Sequence, residues 1–153
     1  MRSKIGDIGL LSDDSRSQLT ASENGRSYRV TNSTKRRLLL YRVDGGVITS
    51  GLRCDYALGM PGDSESVVAS EQVSIVNLIE LKGTDLKHAA AQILSTLTEL
   101  GSKLDGFTIN GRIVLSRVSR PDIRASNVIA LERKLATLGG ELRKSSRTMD
   151  ETV

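Results

Sequence analysis

Alternating apolar and polar positions predict strands along the first half of the chain. The strand patterns cover, in order, residues 28–31, 38–43, 54–60 and 73–81. The last of them, VSIVNLIEL, is almost continuously apolar, which is typical of a central strand covered on both faces. Residues 1–26 are mostly polar, so we expect a loosely ordered N-terminal segment there.

The second half of the chain carries two helical patterns separated by another strand. Apolar residues recur over 85–100 at the 3.6-residue period and form one stripe. Thr84 or Asp85 is suited to cap this helix at its start, and Gly101 is suited to end it. A strand, a second helix with a basic outer face and a short edge strand follow at 112–118, 122–138 and 141–147.

The order of these elements, β-β-β-β-α-β-α, predicts the fold class. Strands followed by alternating helices and strands indicate an α/β domain. We expect a single domain over residues 27–147, with a mixed central β-sheet flanked by helices. Residues 148–153 are expected to be a C-terminal tail.

Composition narrows the class of protein. The chain has 153 residues, of which 38% are apolar and 26% charged, as in a globular domain with a real core. With three Tyr, one Phe and no Trp, it lacks the stacked rings that grip single-stranded nucleic acids. Its single cysteine, Cys54, indicates a reducing compartment. No membrane-span or signal-peptide pattern is present, so we expect a soluble cytoplasmic protein.

Charge is distributed unevenly along the chain. Residues 1–42 hold nine basic and four acidic residues, a net charge of +5. Residues 43–111 hold four and nine, a net −5, and residues 112–153 hold nine and five, a net +4. Basic flanks around an acidic centre suit a phosphate-handling metal enzyme, although ordinary surface charge explains the same pattern.

The sequence Glu80-Leu81-Lys82 ends the most apolar strand. Side chains alternate across a strand, so Glu80 and Lys82 are expected on the same face as Val76 and Leu78. Burying such charges costs about several kcal/mol each. A bound ligand or a partner charge must offset this cost. The pair is therefore either part of a site or a salt bridge that only ends the strand.

A second carboxylate, Asp55, lies inside the preceding apolar strand pattern. If the two strands are neighbours, Asp55 and Glu80 are placed to hold one divalent cation. Oxygen ligands without a His or Cys cluster favour Mg²⁺ or Mn²⁺ over zinc. A cation there would lower the pKa of a bound water, and Lys82 would orient that water or neutralise charge on a phosphate.

The chain has an acid in one apolar strand, ExK at the end of the next strand and then an amphipathic helix. In this order of features it resembles the PD-(D/E)XK nuclease superfamily, also called restriction-endonuclease-like. The resemblance covers roughly residues 38–118 and rests on Asp55, Glu80 and Lys82. It implies that Asp55 and Glu80 are metal ligands, with the Leu81 carbonyl as a possible third. It also implies that Lys82 is catalytic.

The helix that follows extends the resemblance. Many members of the superfamily have a glutamine there that helps to position the site, and Gln92 stands in the matching place. In RecB-like members the motif continues as QxxxY, whereas Thr96 replaces the tyrosine here. Cys54 also stands where those families have a proline before the acid. These departures leave the subfamily open.

Further polar residues are candidates for substrate contacts. Arg117 and Arg120, in the basic C-terminal third, are candidates for binding the nucleic-acid backbone, as is His88 on the helix. His88, Gln92 and Thr96 share one edge of that helix. Asp44, in an Asp-Gly pair, is either an additional acid near the site or a turn residue.

These features together predict a small metal-dependent nuclease that hydrolyses DNA phosphodiester bonds with Mg²⁺ or Mn²⁺. A chain of this size has little room for a specificity domain, so a homodimer or one component of a larger system is expected. One alternative is an inactive nuclease-like fold that binds nucleic acid or protein. Another is a small α/β interaction protein with an accidental ExK match, in which Asp55 and Glu80 would lie far apart.

Overall fold

Nine strands and two α-helices make up the described part of the chain in a computed structural model. The structure describes residues 6–48, 50–62, 72–81, 85–116 and 125–153. The strands are β1 (Leu10–Asp14), β2 (Gln18–Glu23), β3 (Arg26–Thr31), β4 (Leu38–Arg42), β5 (Tyr56–Pro61), β6 (Val73–Glu80), β7 (Thr108–Leu115), β8 (Leu142–Ser146) and β9 (Thr148–Thr152). The helices are α1 (Leu86–Leu100), α2 (Ser126–Thr137) and the short 3₁₀ helix Gly101–Leu104.

A mixed six-stranded sheet forms the centre of the fold, in the order β1-β4-β5-β6-β7-β8. Strands β1, β4, β5 and β6 pair antiparallel. Strand β6 pairs with β7 in parallel, and β7 pairs with β8 in parallel. Parallel neighbours need a crossover connection, which α1 supplies between β6 and β7. The predicted α/β domain with a mixed sheet is confirmed, and β6 is central as expected.

A second sheet of three strands, in the order β2-β3-β9, lies outside the expected plan. Strand β2 pairs antiparallel with β3, and β9 pairs parallel with β3. The expectation of a loosely ordered N-terminal segment is therefore wrong for β1 and β2, and that of a tail is wrong for β9. These strands bury few apolar side chains, chiefly Leu19 and Ala21 in β2 and Met149 in β9, so their periodic signal is weak.

The six-stranded sheet is covered by different layers on its two faces. On one face, α1 and α2 pack over alternate residues such as Leu78 and Ile113. On the other face, Tyr28 and Val30 of the three-stranded sheet pack against side chains of the large sheet that point away from the helices, such as Leu58. The expected flanking by helices is therefore found on one face only among the described residues. The small sheet takes the place of helices on the other face.

Helix α1 matches its predicted bounds closely. The Asp85 side chain accepts hydrogen bonds from the backbone N–H groups of Lys87 and His88 and caps the first turn. Gly101, with a φ of 45°, ends the helix at the expected position. Helix α2 begins at Ser126 and exposes Arg133 and Lys134, in keeping with its predicted basic face. Within the described ranges, neither helix is long and apolar enough to cross a membrane.

A buried polar network joins the two sheets. Glu151 of β9 accepts hydrogen bonds from the Tyr28 hydroxyl at 2.7 Å and from Arg112 Nε at 2.6 Å. Asn77 of β6 donates to the Tyr28 hydroxyl at 3.1 Å. The Arg112 side chain is only 5% exposed and that of Glu151 only 10%, and Arg143 pairs with the other Glu151 oxygen. Arg112 therefore links β7 to β9, and its side chain is buried and does not add to the positive charge of the surface.

Candidate functional site

Asp55 and Glu80 lie side by side at one end of the six-stranded sheet. Strands β5 and β6 are antiparallel and Tyr56 pairs with Ile79, so the residue before β5 meets the last residue of β6. Asp55 stands just before β5, whereas the sequence pattern placed it inside the strand. The backbone N–H of Leu81 donates to Asp55 Oδ2 at 2.7 Å, which links the carboxylate of one segment to the residue that follows Glu80.

Both acids belong to the face that the helices cover. Residues two positions apart in a strand point to the same face, so Asp55 shares a face with Ala57 and Glu80 with Leu78. Ala57 and Leu78 both belong to the core on the helix side of the sheet. Asp55 is 3% exposed and Glu80 is fully buried. Two buried carboxylates at the same end of two paired strands are costly, because each loses its hydration on folding. A bound cation or a partner charge offsets this cost.

The backbone of Asp55 is held by two neighbouring segments. Its N–H donates to the Ile79 carbonyl at 3.0 Å. Its carbonyl accepts from the N–H of Val43 at 2.9 Å and of Asp44 at 3.3 Å. Together with the bond from Leu81, these contacts fix the position of Asp55 relative to β4 and β6. A carboxylate held in this way needs little reorganisation to bind a ligand.

Helix α1 holds the peptide group between Arg53 and Cys54, one residue before Asp55. The Thr96 hydroxyl accepts a hydrogen bond from the Cys54 N–H at 2.9 Å and donates to the Gln92 carbonyl at 2.8 Å. The Gln92 side-chain amide donates to the Arg53 carbonyl at 3.3 Å. The Arg53 carbonyl and the Cys54 N–H belong to one peptide group. Gln92 therefore lies next to the acidic segment and contacts its backbone.

Cys54, which directly precedes Asp55, has a buried free thiol. Burial raises the pKa of this thiol well above its usual value, and the charges of Glu80 and Asp55 raise it further, against a lowering hydrogen bond from Thr96. A neutral thiol is a poor nucleophile. Its environment is that of a small core residue.

Asp44 is adjacent to Asp55 through the backbone, but its carboxylate forms an ion pair. Arg53 Nε donates to Asp44 Oδ1 at 2.6 Å, and both side chains are about a quarter exposed, at 25% and 23%. Asp44 also forms a bridge with Ile48 in the turn that follows β4. Its turn role is thus present, and its side chain stabilises the segment that leads into Asp55.

The remaining predicted site residues divide into two groups. His88 is exposed in the first turn of α1, one turn before Gln92. Lys82, Arg117 and Arg120 lie outside the described residues. The structure thus brings Asp55, Glu80, Leu81 and Gln92 into one region.

The acidic pair is suited by its chemistry to a hard divalent cation. Its donors are two carboxylates and, at Leu81, a backbone carbonyl, all of them oxygen. Mg²⁺ is commonly bound by one or two carboxylates and fills its other positions with waters and substrate phosphates. In the described ranges, no group of three or more His, Cys, Asp or Glu residues could form a fuller cage.

Sequence reasoning missed the Thr96 contact and the ion pair between Asp44 and Arg53. Thr96 is fully buried within the apolar stripe of α1, and this was the available signal, since a polar residue in such a stripe needs a partner. The identity of that partner depends on how the helix docks on the sheet.

Comparisons with protein-family models, with curated proteins and with solved structures find no match to this chain.

Proposed function

We propose that this protein is a metal-dependent nuclease that hydrolyses DNA phosphodiester bonds, with a restriction-endonuclease-like site. The observation that carries the proposal is the pairing of Asp55 with the segment Glu80–Leu81. An acid before one strand and an acid at the end of its neighbour meet on one face, both of them buried. The site also lies beyond the carboxyl end of β6, where open α/β sheets bind their ligands.

The roles of Asp55, Glu80 and Leu81 follow from their positions. Asp55 and Glu80 hold Mg²⁺ or Mn²⁺, and the Leu81 carbonyl is the third protein oxygen within the same segment. The Leu81 N–H keeps the Asp55 carboxylate in place through its 2.7 Å bond. Lys82, by its resemblance to the catalytic lysine of the superfamily, stabilises charge on the phosphate. The bound cation supplies Lewis-acid chemistry at the phosphate.

Two rival functions make different predictions. An inactive nuclease-like module would bind nucleic acid or protein without cutting, yet such a module gains nothing from two buried acids that it must desolvate. An accidental ExK match predicts Asp55 and Glu80 far apart, which their adjacent backbone positions oppose. The nuclease proposal accounts for both the burial and the adjacency of the acids.

The test is cleavage of a substrate panel by the purified protein. The panel holds linear duplex, supercoiled plasmid, four-way junction and single-stranded DNA, and RNA, each with Mg²⁺, Mn²⁺ or EDTA. Asp55→Asn and Glu80→Gln are compared with the wild type. Asn keeps an oxygen that accepts the Leu81 N–H, so the local backbone is preserved. Glu99→Gln removes an exposed carboxylate at the far end of α1 and serves as the control.

We expect metal-dependent cleavage that falls more than about 100-fold in both site variants, because loss of a residue that merely supports a metal ligand already costs about 10–100-fold. The control variant is expected to cut like the wild type. Binding of DNA without cleavage under every metal would favour the inactive module. Cleavage that survives in Asp55→Asn and Glu80→Gln would contradict the assignment of the site.

A further inference from the structure

Thr96 of α1 occupies a position where packing alone would favour an apolar residue. It is fully buried and stands in the stripe that includes Ala89, Ile93 and Leu97. Valine has nearly the same shape as threonine but no hydroxyl to desolvate. A threonine here therefore has to be explained by its hydrogen bonds.

Those hydrogen bonds connect the helix to the backbone just before Asp55. The hydroxyl accepts from the Cys54 N–H and donates to the Gln92 carbonyl, so both of its hydrogen-bonding roles are used. Without the hydroxyl, the Cys54 N–H would lose its acceptor in a buried site, which is unfavourable. A small rotation of the Arg53–Cys54 peptide group would satisfy that N–H elsewhere and would change the direction of Asp55.

Thr98 shows what the same residue does without this contact. Its hydroxyl donates to the carbonyl four residues back, that of Leu94, at 3.2 Å, as Thr96 does to Gln92. Thr98 is exposed, and within the part of the chain that the structure describes its hydroxyl bonds only to that carbonyl. The bond to the preceding helical turn is therefore common to both residues, and the bond to Cys54 distinguishes Thr96.

We propose that Thr96 is a positioning residue that sets the direction of the Asp55 carboxylate for a divalent cation. The inference rests on the proposed function, because it takes Asp55 as a metal ligand. Thr96 acts through the Arg53–Cys54 peptide group, and Gln92 holds the other end of that group. Residues that orient a metal ligand typically affect metal affinity by about 10–100-fold when they are replaced.

The test is Mn²⁺ affinity, measured by isothermal titration calorimetry on the folded full-length chain. The variants are Thr96→Val, Thr96→Ser and, as the matched control, Thr98→Val. We expect Thr96→Val to weaken Mn²⁺ binding by about 10–100-fold. Thr96→Ser keeps the hydroxyl and is expected to retain most of the affinity. Thr98→Val is expected to match the wild type, because it removes only the bond to the preceding turn.

Three results would overturn the inference, each in a distinguishable way. Equal Mn²⁺ affinity in folded Thr96→Val and wild type would remove the role of Thr96 and leave the proposed function intact. A weakening in Thr96→Ser as large as in Thr96→Val would assign the effect to packing. Absence of Mn²⁺ binding in the wild type would contradict the proposed function itself. If Thr96→Val does not fold, Thr96→Cys, a poor hydrogen-bonding substitute of similar size, is compared with Thr96→Ser.

Discussion

Cys54 has two kinds of neighbour, the Thr96 hydroxyl and the buried acids. It is fully buried, and burial together with the nearby carboxylates raises the pKa of its thiol. Reaction with a thiol reagent therefore requires both exposure and deprotonation. In this fold both depend on opening the contact between α1 and the segment before β5.

We expect native Cys54 to react with an aromatic disulfide reagent at pH 8 at least about 100-fold more slowly than in urea. An opening that costs about 3 kcal/mol produces a slowing of this size. The measurement is the absorbance change on mixing, with the urea-unfolded chain as the reference. Complete reaction of the native protein at the unfolded rate would show that the segment is open in solution.

At the same scale, the sequence identifies the acids of the candidate site but not what holds them. Asp55 and Glu80 stand out because each is a charge in an apolar run, and a hairpin-like pairing of consecutive strands brings them together. Arg53 carries no such signal, and Thr96 stands out only as a polar residue in an apolar stripe, which does not identify its partner. Their partners, Cys54 and Asp44, are fixed by the docking of a helix and the path of a turn. Local sequence patterns do not encode either of these.

Strand β9 shows how an element with little apolar surface is held in place. Of its residues, Met149 packs in the inter-sheet core and Glu151 joins the polar network with Tyr28, Arg112 and Arg143. Burial alone would raise the pKa of Glu151, but the hydrogen bonds from Tyr28 and Arg112 and the charges of Arg112 and Arg143 together lower it. The ionised carboxylate is therefore the form that stabilises the fold.

We expect Glu151→Gln to lower the free energy of unfolding at pH 7 by about 1–3 kcal/mol, since it weakens charged hydrogen bonds in a nearly buried site. The pKa in the folded protein is below the ordinary value of 4.5, so this stabilisation is present above that pH. It is lost as the pH falls further through the folded pKa. The difference between wild type and variant should therefore shrink in acid.

Urea unfolding from pH 7 down to the acid limit of the native state measures this effect. Asp150→Asn is the control, because Asp150 is exposed on the same strand and pairs with Arg29 at the surface. A gap between wild type and Glu151→Gln that stays constant across the acid range would contradict the assignment. The network would then stabilise β9 without linkage to the ionisation of Glu151.

Among the elements, those with a strong period were predictable. The helix α1 and the strands β4, β5 and β6 bury most of their residues on at least one face, and their apolar spacing indicates this directly. Strands β1, β2 and β9 were not predictable. At least half of the residues in each are exposed or half-buried. Strands β1 and β9 also pair with strands that are distant in the chain, whereas β2 pairs with β3 across a tight turn. Pairing with such partners supplies the backbone hydrogen bonds that the local sequence does not indicate.

Over the whole molecule, burial is concentrated in the middle of the large sheet. Strand β6 lies between β5 and β7 and is covered by helices on one face and by the small sheet on the other. Strand β1 stands at the edge and, among the described residues, pairs on one side only; its register is interrupted near Leu11, which is 55% exposed. The two strands should therefore open at very different free energies.

We expect amides of β6 to exchange with solvent only through global unfolding and amides of β1 through local opening. The difference in exchange rate should be at least about 100-fold, corresponding to about 3 kcal/mol or more. Hydrogen–deuterium exchange with mass spectrometry on peptides that cover the two strands measures it. Low urea should speed exchange in β6 and leave β1 nearly unchanged. Equal protection of both strands would contradict the layered arrangement of stability.

The parallel pairing of β3 with β9 has a consequence for how the protein is made. Arg29 and Asp150, which face each other across this pair, are 121 residues apart in the chain. At synthesis rates of about 5–20 residues per second, β3 leaves the ribosome roughly 6–24 s before its partner. During that time the hairpin of β2 and β3 presents an open edge, the kind of surface on which nascent chains associate wrongly. Strand β9 therefore both completes the small sheet and ends the interval in which that edge is exposed.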